Sequence, residues 1–476
     1  MRGRDLCEDA GTRRVGRRAA RGRVRGPTGQ REEGSSVSEP RIVILNQYYV
    51  PDVASTGQLL HELAVSLVRQ GRRVRVVTSH PSYGPPETWV DTPSRELRDG
   101  VDVRRIYTTR FSKDRAVGRL LNYATFVLQL CLRTLFTSKR KNVYLYTSNP
   151  PFLGFIGAVV SLFRAHAYVV LLHDLYPQLA VWVGKIRKGG LIERLCHWVN
   201  RMTYRRARQT IVLCEAAKRL VCENYGVDPA RVHVIPNWAD GDLVRFKPKH
   251  ETQFARAHGL LEPFTVMYSG NLGLYYEFET LLKAAALLKG EPFRFAFIGS
   301  GGRRAWLAEQ IERRGLTNCS LHPYQPLEKI GDSLNACDAS LVTIARGIEG
   351  ISYPSKLYSS LATGKPIVAL SEPGSELRQL VEGQGVGLWF EVGDARGVAE
   401  GLRKLRDDPS GARRLGRAAR ELFERRFTLG VTGKAYADVL SLAANGDPRP
   451  PRAHQGVDPA PAERRELEAA QGRDGR

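Results

Sequence analysis

The sequence predicts an α/β protein of two doubly wound parallel-sheet domains facing each other across a cleft, and three observations lead there. Short apolar runs alternate with helical patterns from residue 41 to about 235, and again from 264 onward. That alternation feeds parallel strands through crossover helices. Turns rich in glycine or hydroxyls follow several of the runs directly, as in sheets that bind ligands at the carboxyl ends of their strands. A chain of 476 residues is also long enough for two full cores.

The first domain is read from residues 40–238. Residues 41–45 form an apolar strand ending at Asn46, and a loop through Pro51 reaches Ser55, Thr56 and Gly57. A helix follows, with Leu60, Leu63, Ala64 and Leu67 on one face and Gly71 as its stop. A hydroxyl-bearing turn between strand and helix can admit a phosphate or a sugar near the backbone. An ordinary N-cap accounts for Ser55 or Thr56 as well. Further strands are expected at 73–79, 101–107, 143–147, 167–172, 210–213 and 232–235. The run 167–172 leads straight into His173 and Asp174. A histidine and a carboxylate at the mouth of a buried strand form a candidate reactive pair, with a local cap by Asp174 as the plainer alternative.

Two stretches of this domain are unusually apolar. Residues 120–136 are interrupted only by Asn122, Gln129, Arg133 and a few hydroxyls, and 152–163 are apolar almost throughout. Arg115, Arg119, Lys139, Arg140 and Lys141 bracket the first stretch. An apolar helix with basic flanks suits a protein resting on an anionic leaflet, and two buried helices of the sheet domain would read the same way. No run is expected to reach the ~18–20 apolar residues of a membrane span, and no signal peptide is expected.

Ile235, Pro236, Asn237 and Trp238 close this domain and open the link to the second, read from 239–408. Asp240 and Asp242 follow no apolar strand and are read as turn residues rather than metal ligands. No metal or other cofactor is expected. The strand 264–269 leads to Gly270, Asn271 and Gly273, and the strand 293–298 to Gly299, Gly301 and Gly302. Such turns let backbone approach a ligand, though neither meets the G-x-G-x-x-G spacing of a dinucleotide fingerprint.

Strands at 338–343 and 366–370 enclose the most informative stretch, 354–366. It opens with Pro354 at a first helical position and Ser355 and Lys356 behind it. Leu357, Leu361 and Ala362 keep helical spacing, and Gly364 ends the helix. The N-terminal amides carry roughly half a positive charge. With the ammonium of Lys356 they form a candidate anion site at a strand mouth. A helix–strand unit with an incidental lysine is the alternative.

The formal net charge of +23 implies an anionic partner: nucleic acid, a membrane surface, or phosphorylated substrates. The basic residues are spread along the chain and loaded into its ends without a recognition module, so no nucleic acid is expected. Residues 1–39, rich in Arg and Gly, read as a disordered basic arm, and 445–476 as a disordered tail. Seven cysteines without a C-x-x-C pair suggest neither a zinc site nor a disulfide framework. Cys131, Cys196 and Cys214 lie among apolar neighbours and read as buried thiols, which fits the cytosol.

On the 354–366 stretch, the His173–Asp174 pair and the glycine turns, the chain resembles retaining glycosyltransferases of the family 4 (group 1) type over residues 41 to about 444. Within that family it is most similar to the colanic-acid and exopolysaccharide kind of bacteria. The resemblance implies the GT-B fold, two Rossmann-like domains with acceptor on the first and nucleotide-sugar on the second. Helices at 409–444 would cross back to brace the first domain. It implies metal-independent transfer of a hexosyl or N-acetylhexosaminyl group from a UDP- or GDP-sugar to a hydroxyl of a lipid-linked or saccharide acceptor. The enzyme would be cytoplasmic and peripheral on the inner face of the plasma membrane.

The same resemblance assigns roles. His173 would lie beside the donor's sugar and phosphates with Asp174 after it, and Thr56 and Gly57 would line the acceptor side. The Gly270 turn would face the diphosphate, the Gly299 turn would reach toward the base, and Ser355 and Ser359 would join the donor contacts. Many relatives carry an arginine after the first glycine and a lysine five residues on, where this chain has Asn271 and Tyr276. Many also carry two glutamates eight residues apart. Here the second falls on Ser359 and the first on Ile351, with Glu349 two residues upstream. The colanic-acid type shares the Glu-Gly…Pro-Ser-Lys pattern, which gives Glu349 the sugar hydroxyls and leaves Lys356 and Arg346 to supply the charge. A non-catalytic subunit of the same fold and a nucleic-acid-binding protein are the rival readings.

Overall fold

The computed structural model describes residues 40–446 apart from 53, 83–88 and 112–115. The basic arm, the tail beyond 446, Arg115 and the side chain of Arg119 lie outside the described residues. Two sheets organise the rest. The first contains β1 (Ile42–Leu45), β2 (Val74–Ser79), β3 (Arg95–Arg98), β4 (Val101–Ile106), β5 (Val143–Thr147), β6 (Ala167–Leu172), β7 (Gln209–Val212) and β8 (Val232–Val234). Their order is β3-β4-β2-β1-β5-β6-β7-β8, and only the β3–β4 pair is antiparallel. The second contains β9 (Phe264–Ser269), β10 (Phe293–Ile298), β11 (Cys319–His322), β12 (Ala339–Thr343), β13 (Ile367–Ser371) and β14 (Gly387–Glu391). It is parallel throughout in the order β11-β10-β9-β12-β13-β14.

Central strands are the apolar runs. Every residue of β1 and of β6 is buried, as expected where helices cover both faces of a sheet. Strands β3, β11 and β14 were not expected, and each is an edge. An edge needs no two-sided burial, and their residues are mostly exposed or half-covered.

On one side of the first sheet pack the helices Ser55–Arg69 and Leu429–Asn445, through Leu60, Leu63 and Leu67 and through Tyr436, Val439 and Leu440. The other side carries Ala116–Thr137, Gly154–Phe163, Leu191–Arg206 and Glu215–Tyr225, anchored by Phe126, Leu130, Ile156, Val160, Tyr204 and Val221. One expectation fails here: Leu120–Thr137 is long and apolar enough, by length and composition, to cross a membrane. Phe126 and Leu130 are nonetheless fully buried in the sheet's core, so this helix lies along the domain. Its outer residues Leu120, Leu128, Leu132 and Phe136 are exposed. Cys214 is buried, whereas Cys131 and Cys196 are only half-covered, contrary to expectation. Both sit on helices whose outer side turns away from the sheet.

The chain leaves the first domain after Trp238 and returns after Phe427. The two crossings run side by side: the Ala239 amide donates to the Phe427 carbonyl at 3.2 Å, and Ala239 bridges Thr428 in parallel. The helices expected within 409–444 therefore divide. Pro409–Arg426 buries Ala419, Leu422 and Phe423 in the second domain's core, and only Leu429–Asn445 packs on the first.

Candidate active site

The site begins where β9 and β10 end. Gly270, Gly299 and Gly301 have φ of 140°, 141° and 147°, a region that favours glycine. A Cβ on Gly299 would lie 1.9 Å from the Gly270 carbonyl oxygen, and one on Gly301 would lie 2.5 Å from that of Leu272. At these two positions glycine serves the packing of one turn on the other. A Cβ on Gly270 would meet only the Lys356 side chain, 3.4 Å away at Cε, so its open side faces the lysine.

Lys356 starts the helix Lys356–Ala362, two residues later than Pro354 suggests. The Leu357 and Tyr358 amides donate to the carbonyls of Pro354 and Ser355 at 3.0 and 3.3 Å, a tight first turn that leaves Pro354 outside the helix. Lys356 is 7 % exposed. Its Nζ lies 3.3 Å from the centroid of the Tyr276 ring and 4.7 Å from that of Tyr268. Burial holds its pKa well below the usual lysine range, and the two aromatic faces partly offset that cost to the cation. An anion delivered here meets an amine that has traded most of its water for two rings, and the anion's charge favours its protonated form.

Beside Lys356 opens a cavity of about 310 Å³ between the domains. Gly270, Asn271, Tyr276, Ser355 and Ser359 line one wall, with Tyr324 and Gln325 from the loop after β11. Across it stand Ser55, Gln58 and Glu62 of the first helix. Trp238 donates through Nε1 to Glu62 Oε2 at 2.7 Å, and burial raises this carboxyl above its usual range. Thr56 and Gly57 sit just behind this wall. Thr56 Oγ1 accepts from Asn149 Nδ2 at 3.0 Å. A Cβ on Gly57 would come within 3.1 Å of the Tyr48 carbonyl oxygen, so the close approach expected there is made by the chain's own backbone.

His173 and Asp174 follow β6 as its sequence implies. The His173 amide donates to Ser148 Oγ at 3.0 Å. Its Nε2 is shut from solvent and has no hydrogen-bond partner among the described residues. Burial lowers its pKa to about 4, so the ring is neutral near pH 7. Burial raises the Asp174 carboxyl, while a hydrogen bond from Ser352 pulls the other way. Asp174 bridges Ser352 across the domain boundary, and the Leu175 amide donates to the Ile351 carbonyl at 2.8 Å. The Asp174 charge also reaches Tyr276 in the lysine's seat. Burial first, then the Tyr275 ring and the Asp174 charge, holds the Tyr276 phenol well above its usual range.

Two residues expected at the donor do not line this cavity. Glu349 Oε1 accepts the Glu376 amide at 2.9 Å and caps the helix Glu376–Gly383, away from the cavity lining. Glu376 in turn accepts the amides of Glu215, at 3.0 Å, and Ala216, at the N-terminus of Glu215–Tyr225. Unpaired amides at two helix N-termini take both carboxylates. Arg346 is exposed and donates to Glu391 at 2.8 Å and to the Val392 carbonyl at 2.7 Å. Asp240 Oδ1 accepts the amides of Asp242 and Leu243 at 2.8 and 3.1 Å, closing a turn. Among the described residues no group of three or more His, Cys, Asp or Glu is arranged to hold a metal.

Residues 56–238 match the family model described as a glycosyl transferase 4-like domain, and residues 251–422 match that of the glycosyl transferases group 1. The chain belongs to the group 1 glycosyltransferases. This glycosyltransferase is 27% identical over 351 residues to WbjE, a glycosyltransferase of Pseudomonas aeruginosa, covering 73% of this chain and 84% of that one. It is 25% identical over 385 residues to the colanic acid biosynthesis glycosyl transferase WcaI of Escherichia coli (strain K12), covering 76% and 91%. Among solved structures, sucrose-phosphate synthase from Thermosynechococcus elongatus superposes with a TM-score of 0.67 at 16% identity, covering 85% of this chain and 98% of that one. Anabaena HepE in complex with UDP and glucose superposes at 0.63 and 18%, covering 85% and 100%. The fold is GT-B.

The site also rests on residues to which the sequence alone assigns no role. Tyr268 and Tyr276 seat Lys356 from some eighty positions away, which no local pattern announces. Tyr324 and Gln325 follow β11, an edge strand without an apolar run. Glu62 lies on the polar face of an amphipathic helix, where a solvated carboxylate is the ordinary expectation.

Proposed function

We propose that this glycosyltransferase moves a hexosyl or N-acetylhexosaminyl group from a UDP- or GDP-sugar to a hydroxyl of a lipid-linked or saccharide acceptor. The product would belong to a bacterial envelope polysaccharide, and the anomeric configuration would be retained without a metal. The observation that carries this reading is the buried side chain of Lys356 beside the open side of Gly270. A diphosphate there would face Lys356, the hydroxyls of Ser355 and Ser359 and the Gly270 turn, with its base toward Gly299, Tyr324 and Gln325. As the sugar–phosphate bond breaks, charge develops on the departing oxygen, and Lys356 stabilises it in a poorly hydrated site. That oxygen is then basic enough to take the acceptor's proton. Neutral His173, with an imidazole nitrogen not otherwise engaged, supplies a polar contact to the donor from the first domain.

The name of WcaI, a colanic acid biosynthesis glycosyl transferase, supports an envelope polysaccharide, and HepE with UDP and glucose supports a nucleotide-sugar. The exposed apolar side of Ala116–Thr137, followed by Lys139, Arg140 and Lys141, supports a cytoplasmic enzyme peripheral on the inner face of the plasma membrane. The test is a thermal-shift screen of nucleoside diphosphates and their sugars, because a specific ligand stabilises by mass action. One base should raise Tm in the native chain and much less in Lys356→Ala. If no nucleotide raises it, the reading fails.

A further inference from the structure

The helix Leu191–Arg206 turns an apolar stripe to solvent. Leu191, Leu195 and Trp198 recur at i, i+4 and i+7 and are 83%, 58% and 54% exposed, with Ile192 beside them at 64%. At about 100° per residue, this stripe lies opposite Asn200, Thr203 and Tyr204, which the helix buries against the first domain. Single exposed apolar residues are ordinary, but four large ones together on a helix that already has a buried face mark a contact surface. The neighbouring helix Gly154–Phe163 extends the patch. Its Phe155 ring lies 6.1 Å from that of Trp198, and Leu162 and Phe163 are exposed at its end.

The charge around the stripe has one sign. Lys185, Arg187 and Lys188 in the preceding turn and Arg194 on the helix are exposed and form no ion pair among the described residues. Glu193 is the one acid between residues 183 and 208. It accepts the Gly189 amide and lies 3.7 Å from His197, so it neutralises none of them.

We propose that Leu191–Arg206 is the element that enters an anionic lipid surface, with the stripe among the acyl chains and the Lys185–Lys188 turn on the lipid phosphates. This rests on the peripheral-membrane reading above and names its contact. A leaflet satisfies both features at once, because it takes apolar side chains and cations at adjacent depths, with a tryptophan at the boundary. A second copy of the chain fits less well. A two-fold contact through the same patch would bring the two basic turns together.

The experiment uses the full chain and vesicles of phosphatidylcholine with or without phosphatidylglycerol. The native chain should sediment with the anionic vesicles and much less with the neutral ones. In Leu191→Ser/Leu195→Ser/Trp198→Ser the bound-to-free ratio should fall about tenfold or more. In Lys185→Glu/Arg187→Glu/Lys188→Glu the preference for anionic lipid should disappear. Quenching by lipids brominated on the acyl chains reads the native fold directly, and it should be weaker in Trp198→Phe. The proposal is overturned if the stripe variant binds like the native chain while Leu128→Ser/Leu132→Ser/Phe136→Ser is released, which places the contact on the other helix. It is equally overturned if the chain dimerises without lipid and Trp198→Ser abolishes the dimer. Failure of the native chain to bind either vesicle ends the peripheral reading itself.

Discussion

The two walls of the cleft are held in different ways. On the second-domain wall the support is internal. The turns at Gly270 and Gly299 lean on each other, and the Lys356 ammonium rests on rings of its own domain. On the first-domain wall the support comes from across the boundary. Asp174 and Leu175 are tied to Ser352 and Ile351, and the helix Glu215–Tyr225 is capped by Glu376. The difference leads to an expectation that donor binding and transfer can be separated, because the second-domain wall is built without the first, whereas Asp174 and Leu175 are tied across the boundary.

The largest effect is expected at the self-supported wall. Lys356→Ala removes a charge-assisted contact worth about 1.5–3 kcal/mol, so kcat/KM for donor should fall about ten- to over a hundredfold, with nucleotide affinity falling too. Unchanged donor kinetics would break the comparison at its root. On the other wall, His173→Ala should lower kcat by about tenfold or more and leave the nucleotide-induced rise in Tm nearly intact. Affinity and turnover falling in step would show that the walls do not act separately.

A pH dependence of stability should also appear. Burial lowers both His173 and His166 to about 4, below the usual value of about 6.5. The folded state therefore favours the neutral rings. Their contribution to stability is complete above about pH 6.5 and is lost as pH falls toward 4, at up to about 1.4 kcal/mol per pH unit for each. Denaturant midpoints measured through that window should flatten in His173→Gln. A slope unchanged by the substitution would deny the ring its part.

A smaller change is expected at the boundary itself. Glu376→Ala strips the cap from Glu215–Tyr225, and cap losses cost about 1 kcal/mol. Unfolding should report that loss, with kcat reduced more than nucleotide affinity. The smallest effect belongs to the metal question. Chelator, or Asp240→Ala/Asp242→Ala, should leave most transfer intact, since Asp240 closes a turn. Activity lost to chelator and restored by manganese would put a metal into the mechanism.

What the sequence disclosed follows from the physics of each part. Central strands such as β6 are buried on both faces and so spell themselves as apolar runs. Edges such as β3, with the sequence Arg-Glu-Leu-Arg, carry no such mark. Lys356, Ser355 and Ser359 were legible because one short helix carries all three to the cavity. The tyrosines beneath the lysine were not, because that contact joins distant parts of the chain. Glu349 is assigned from its sequence neighbours, and the helix N-terminus that takes its carboxylate is distant in sequence and carries no local sign. Leu191–Arg206 carries no such mark either, because Glu193, Arg194, His197, Asn200 and Arg201 break up its apolar residues.

The paired crossings at Ala239 and Phe427 have a mechanical consequence. A single linker would leave one domain free to swivel. Two linkers joined by a backbone hydrogen bond of 3.2 Å restrict the relative motion to those rotations that keep this one point fixed. Sliding or unscrewing the domains would tear the bond, whereas folding about the line through the two linkers leaves it whole. That folding would part the Asp174–Ser352 bridge and the Leu175–Ile351 hydrogen bond, so opening the cleft also loosens the contacts beside His173.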